Sequence, residues 1–176
     1  MHQNLEVELK TLLNREQFEE LLSFYLPHDF IKQENYYYRS NHSEHYAYRI
    51  RVKEGQQLFT LKQHVDGGMM EYEKVFTGKL EDDPEITAIL ESYGEFPPHE
   101  LLGKLTTYRY MVVTDKAELC FDINLYNGIM DYEVEYEVKK EHDHEAEFKK
   151  ILNQAGIEYV PNRISKYRRF IASLPQ

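Results

Sequence analysis

Residues 117–139 read AELCFDINLYNGIMDYEVEYEVK. From Ala117 to Tyr126 and again from Ile129 to Lys139, apolar side chains alternate with charged or polar ones. Neighbouring side chains on a strand point to opposite faces, so each run predicts a β-strand with one apolar and one charged face. Asn127-Gly128 between them is the dipeptide that best tolerates the positive φ angles of a two-residue hairpin turn. Lys104 to Thr114, joined through Asp115-Lys116, adds a third strand upstream.

The same two-residue period extends outward through the chain. Strands are predicted at Leu5–Lys10, Phe30–Ser40, His45–Lys53, Gln57–His64 and Met69–Phe76, with turns at Glu54-Gly55 and Asp66-Gly67-Gly68. A helix follows Asn14, with Gln17 as its reciprocal cap, Phe18, Leu21, Leu22 and Tyr25 on one face, and Pro27 as the stop. Pro84–Tyr93 forms a second, capped by Asp82 or Asp83 and ended by Gly94. Glu145–Ala155, ended by Gly156, is a third, and Ser165–Leu174 a short closing helix. About eight strands joined by short turns rather than crossover helices favour a closed antiparallel β-barrel with flanking helices, in the α+β class and mainly β.

The charged faces are sorted by sign. Glu6, Glu8 and Lys10 oppose Leu5, Val7 and Leu9, and Arg49 and Arg51 oppose Ile50 and Val52. Lys62 follows Leu61, and Glu71 and Glu73 flank Tyr72. Asp122 and Asn124 alternate with Phe121, Ile123 and Leu125, and Glu133, Glu135 and Glu137 with Val134, Tyr136 and Val138. On a half-exposed strand such charges commonly just meet water. Glu and Asp are poor strand formers, however, and like charges at i and i+2 repel unless a counter-charge sits between them. The acid pairs therefore read as a cation site and Arg49 with Arg51 as an anion site. A polyphosphate joined to a carboxylate-bound Mg²⁺ or Mn²⁺ would neutralise both, because Arg grips phosphate bidentately and these metals favour carboxylate and phosphate oxygens.

The 176 residues suit one domain spanning the chain, and 30% charged with 41% hydrophobic residues is an ordinary globular composition. A net charge of -10 argues against nucleic acid and anionic membranes as partners. The single cysteine, Cys120, excludes an internal disulfide and, with no leader or membrane span in view, points to the cytoplasm.

Glu6-Val7-Glu8-Leu9-Lys10 resembles the ExExK signature of the CYTH proteins, or triphosphate tunnel metalloenzymes. Tyr48-Arg49-Ile50-Arg51, Leu61-Lys62, Glu71 or Glu73, Arg109, Asp122-Ile123-Asn124, Glu133-Val134-Glu135 and Ser165-Lys166-Tyr167 follow in that family's order. The resemblance runs from Leu5 to Phe170 and implies an eight-stranded tunnel that acts on triphosphates with Mg²⁺ or Mn²⁺. It implies that Arg49, Arg51, Lys62, Arg109 and Lys166 hold a small-molecule triphosphate. Glu6 and Glu8 with Glu133 and Glu135 would hold metal and position water, with Asp122 assisting. Lys10 is either a phosphate ligand or a charge that activates the nucleophile. Glu71, Glu73 and Glu137 are further candidates, since Glu135 with Glu137 fits the final strand almost as well as Glu133 with Glu135. The sequence departs from the pattern at Met69-Met70, where relatives often carry a basic residue before the Glu pair.

Hydrolysis of inorganic tripolyphosphate is the activity this resemblance favours. Thiamine triphosphatase, adenylate cyclase and a non-catalytic polyphosphate- or nucleotide-binding module are the alternatives. Tyr36, Tyr37 and Tyr38 could stack on an adenine but read first as sheet wall. His142 and His144 lack the closed ligand set of a zinc site. The Lys166-Tyr167-Arg168-Arg169 run reads as a plug at the tunnel end. Proteins of this kind can form homodimers, though the sequence specifies no interface.

Overall fold

The computed structural model describes residues 1–25 and 29–175. Its elements run β1 (His2–Glu6), β2 (Glu8–Leu13), α1 (Arg15–Leu22), β3 (Ile31–Tyr38), β4 (Tyr46–Lys53), β5 (Gln56–Val65), β6 (Gly68–Phe76), a 3-10 turn (Leu80–Asp82), α2 (Pro84–Ser92), β7 (Leu101–Val113), β8 (Ala117–Tyr126), β9 (Ile129–Val138), α3 (His144–Asn153) and α4 (Lys166–Ala172). Pro27, the expected stop of α1, lies outside the described residues.

The local signals act as their chemistry dictates. Asn14 accepts from the Gln17 N–H at 2.8 Å, while the Gln17 side chain accepts from the Asn14 N–H at 3.0 Å, closing a reciprocal cap on α1. Asp83 caps α2 by accepting from the Glu85 and Ile86 N–H groups, both at 3.0 Å. Asp143 and Ser165 cap α3 and α4. At the β8–β9 turn, Asn127 and Gly128 have φ of 47° and 79°, a pair that only residues at ease in the left-handed region adopt without strain.

The sheet is antiparallel in every pairing described, and its strand order is β1-β6-β5-β4-β3-β7-β8-β9-β2. The closed eight-stranded barrel expected from the sequence is not found: the described residues form nine strands, and the order has two ends, β1 and β2. The cause lies at Val7. The run expected as one strand from Leu5 to Lys10 divides there, and its two halves take different partners. Glu6 pairs with Met69 on β6, whereas Glu8 pairs with Glu137 on β9.

The chain forms two compact bodies. One comprises Met1–Glu6 and Gln33–Thr106, the other Val7–Lys32 and the chain from Thr107 onward. In the first, Tyr46, Tyr48 and Ile50 of β4, Phe59 and Leu61 of β5, and Phe76 pack against Leu80, Ile86 and Leu90 of the α2 region. In the second, Leu119, Phe121, Val134 and Tyr136 pack against Phe18, Leu21 and Leu22 of α1 and Phe148 and Leu152 of α3. Burying one strand face beneath helices leaves the alternate face to the charged residues. No helix among the described residues is long and apolar enough to cross a membrane.

Candidate active site

Each body carries its own charged cluster on the strand face opposite its apolar core. In the first, Lys62 Nζ donates to Glu6 Oε1 at 2.8 Å and ion-pairs with Glu71 Oε2 at 3.5 Å. Both carboxylates are buried. Lys62 and Glu71 are direct partners across β5 and β6, whereas Glu6 pairs with Met69, two residues along β6 from Glu71. Arg51 Nε donates to Asn35 Oδ1 at 2.8 Å, and Asn35 in turn donates to the Leu105 carbonyl at 3.3 Å. Arg49 lies between Tyr37 and Thr60, and its buried Nε has no hydrogen-bond partner among the described residues. Glu73 faces Thr60 on one side and His2 on the other.

The second body holds the denser cluster. Asp122 and Glu133 face each other across β8 and β9, and Glu135 lies two residues further along β9. All three are buried, the first two with 0% exposure, and one carboxylate oxygen from each lies within 4.8 Å of the others. Lys166, the first residue of α4, places Nζ among them. It is 2.9 Å from Asp122 Oδ2 and 2.7 Å from Glu133 Oε1, and it also donates to Glu135 Oε1. Arg109 clamps Asp122 with two 2.7 Å bonds and reaches Glu135 Oε2 at 3.1 Å.

Buried Asp122 and Glu135 stay ionised because these cations outweigh the cost of burial. Burial alone would raise the pKa of Glu135, but Lys166, Arg109 and Lys10 hold it well below the usual carboxylate range. Asp122 is likewise held low against its burial by Arg109 and Lys166. Burial would lower the pKa of Lys166, and the three carboxylates raise it well above that of an ordinary lysine. Arg109 is raised in the same way by Asp122 and Glu135. Arg109 and Lys166, two of the five cations expected on phosphate, are thus engaged with acids.

On the final strand the buried pair is Glu133 and Glu135. Glu137 lies further along, opposite Glu8, and is held by Lys139 at 2.8 Å. Glu8 ion-pairs with Lys10 at 3.5 Å, and Lys10 pairs across the strands with Glu135. Glu6 belongs to the first body and Glu8 to the second. Two site residues escaped the sequence reading. Asn162 donates to Glu133 Oε2 at 2.6 Å from an irregular segment with no periodic signal. Arg169 bonds Asp131 Oδ2 at 3.0 Å and Glu133 at 3.2 and 3.3 Å, although the basic run containing it suggested only a plug. His142 offers little to a metal, since its ring nitrogens contact the Tyr136 hydroxyl at 2.8 Å and the Lys140 carbonyl at 2.7 Å.

The triad fits a hard divalent cation by donor chemistry, offering carboxylate oxygens and no sulfur or imidazole. It is the one such group of three or more acidic, histidine or cysteine ligands among the described residues.

The CYTH domain family model matches residues 4–171. The Bacillus subtilis (strain 168) protein named "Putative triphosphatase YjbK" is 27% identical over 179 residues, which is 94% of this chain and 93% of that protein. A Bacillus halodurans crystal structure described as a "putative adenylate cyclase" is 30% identical with a TM-score of 0.85, covering 97% of this chain and 99% of its own. A Hippeastrum adenylyl cyclase homologue, described as having a dominant triphosphatase activity, has a TM-score of 0.77 over 98% of each chain. At 19% identity it speaks for the fold alone. With the family model spanning nearly its whole length, this chain belongs to the CYTH domain family.

Proposed function

We propose that this protein hydrolyses a triphosphate, with inorganic tripolyphosphate as substrate and Mg²⁺ or Mn²⁺ as cofactor. The observation that carries the reading is the buried Asp122–Glu133–Glu135 triad with cationic side chains packed against it. A structural salt-bridge network of this size is costly to bury, and replacing such networks with apolar residues is often neutral or stabilising. A site that must exchange charged ligands is a reason to keep it. The relative named a triphosphatase supports the same reading.

In this scheme Asp122, Glu133, Glu135 and Glu8 of the second body would hold metal and Arg109 and Lys166 would bind phosphate, while in the first body Glu6 would hold metal and Arg49, Arg51 and Lys62 would bind phosphate. Bound metal would supply Lewis-acid stabilisation of charge on the phosphate oxygens. The basic side chains orient the chain of phosphates and offset charge on the departing pyrophosphate. A carboxylate, assigned to Glu6 or Glu8, accepts a proton from the water that attacks the terminal phosphorus. The P–O–P bridge breaks as the new P–O bond forms, giving phosphate and pyrophosphate. Lys10, beside Glu8, either contacts phosphate or tunes that carboxylate.

The test is phosphate release from tripolyphosphate, ATP and thiamine triphosphate by the wild type and by Glu6→Ala and Glu135→Gln, with metal or with EDTA. Metal-dependent release fastest on tripolyphosphate is expected, falling by about two orders of magnitude or more in either variant, the scale of losing an essential group. Equal rates in wild type and variants would remove the acids from the site. Adenylate cyclase is the second reading, on the strength of the 30%-identical relative described by that name. Cyclic AMP formed from ATP without phosphate release would favour it.

A further inference from the structure

The first body contains a buried hydroxyl that the fold leaves unused. Thr60 lies on β5 between Phe59 and Leu61, both fully buried in the apolar core, so its side chain is on the opposite, charged face. It is 1% exposed, yet Oγ1 has no hydrogen-bond partner among the described residues. Its cross-strand neighbour on β4 is Arg49, whose buried Nε is in the same condition. Its neighbour on β6 is Glu73, and Lys62 follows two residues along its own strand. Side chains directly opposed on an antiparallel pair stand about 5 Å apart at Cβ, close enough for one small ligand atom to bridge them. An N–H and an O–H that both lack acceptors call for an oxygen with more than one lone pair.

Buried polar groups without partners are rare because each costs the free energy of the lost hydration. Two of them side by side, among cations, indicate a ligand that supplies the missing acceptor. Gln33 Oε1 is also buried without a partner, but as an acceptor it does not suit a phosphate oxygen. We propose that Thr60 is a substrate-binding residue whose hydroxyl donates, together with Arg49 Nε, to one phosphate oxygen of the triphosphate. This rests on the triphosphate reading above and adds to it a neutral donor that fixes where along β5 the phosphate chain is seated.

Thr60→Val is nearly isosteric and separates binding from folding. Binding of inorganic tripolyphosphate is measured calorimetrically in EDTA, where no turnover occurs, alongside urea unfolding. Thr60→Val is expected to weaken binding by about tenfold or more, as loss of a hydrogen bond to a charged group does, while stability stays equal or rises because an unsatisfied hydroxyl is gone. Thr60→Ser is expected to bind like the wild type. Wild-type binding that Thr60→Val leaves unchanged would overturn the assignment, as would a clear loss of stability, which would show that the hydroxyl is satisfied within the fold. A wild type that binds tripolyphosphate neither in EDTA nor with Mn²⁺ would instead refute the triphosphate reading itself.

A separate observation concerns the second body. Lys166 Nζ lies at hydrogen-bond distance from oxygens of Asp122, Glu133 and Glu135, which is where a divalent cation bound by those three would sit. The two cations cannot share that space, and their repulsion in a buried site would be large. We infer that Lys166 occupies the metal's place in the metal-free protein and that metal binding displaces it. Its ammonium then becomes free to meet phosphate, so that metal and substrate bind cooperatively. This too rests on the proposed metal role of the triad.

Calorimetric Mn²⁺ titration tests it. Lys166→Met is expected to bind Mn²⁺ about tenfold or more tightly than wild type, the direction opposite to loss of a supporting residue, whereas the exposed Arg168→Met leaves affinity unchanged. Should Lys166→Met not fold, lysine labelling of the wild type gives the same answer, with Lys166 more reactive in Mn²⁺ than in EDTA. Unchanged or weaker Mn²⁺ affinity in Lys166→Met, or equal labelling in both conditions, would overturn the exchange.

Discussion

At the scale of single residues, burial decides which charges matter. Arg15 and Glu19 form a 2.9 Å pair on the surface of α1, while Asp122 and Arg109 form two 2.7 Å bonds inside the second body. Glu19→Gln is expected to change stability by less than about 0.5 kcal/mol. Asp122→Asn leaves Arg109 and Lys166 poorly compensated and is expected to cost about 3–5 kcal/mol in urea unfolding. Because Asp122 and Glu135 titrate below their usual range, their contribution is full above pH about 4 and is lost as pH falls further. Cys120 gives the opposite limb. Burial pushes its thiol from 9.0 to about 12, so stability is retained below pH 9 and lost as the unfolded chain ionises above it. Between pH 8 and 10 the wild type is expected to lose about 1.4 kcal/mol that Cys120→Ala does not lose, a difference read from urea midpoints at the two pH values.

At the scale of elements, what the sequence made legible was local. Period-two alternation located the strands, the Asn14–Gln17 pair marked the start of α1, and Asn-Gly marked the β8–β9 turn. Asn14→Ala is expected to cost about 1 kcal/mol, measured by thermal or urea unfolding, because it breaks both bonds of the reciprocal cap. Division of the first strand at Val7 was not legible, since a change of pairing partner leaves no mark on alternation. Nor were Asn162 and Arg169 as ligands of Glu133, for the sequence separations of 29 and 36 residues carry no periodic trace. α4 depends on such distant ties. Seven residues are too few to hold a helix alone, and Arg169 to Asp131 and Glu133, with Asn127 to Ser173 at 2.9 Å, fasten it. Arg169→Gln is accordingly expected to speed hydrogen exchange of the α4 amides by about tenfold or more while the α1 amides keep their wild-type rates. Unchanged exchange in α4 would mean that the capping residue Ser165 and apolar packing suffice.

At the scale of the whole molecule, the charge sorting seen along the sequence becomes two clusters, each on the strand face turned away from its apolar core. The first body gathers Glu6, Lys62 and Glu71 with Arg49 and Arg51 on neighbouring strand positions, and the second gathers Asp122, Glu133, Glu135, Arg109 and Lys166. Alternation could tell which residues share a face, but not which carboxylate meets which cation. That depends on register and on α4, and so the neutralisation of the triad by Lys166 was invisible in the sequence. We propose that these clusters serve a metal and a triphosphate. This is tested most directly by following tripolyphosphate with phosphorus NMR in the presence of the purified protein and Mg²⁺ or Mn²⁺. Conversion to equal amounts of pyrophosphate and phosphate, stopped by EDTA, is expected; tripolyphosphate left intact with both metals would contradict the proposed hydrolysis.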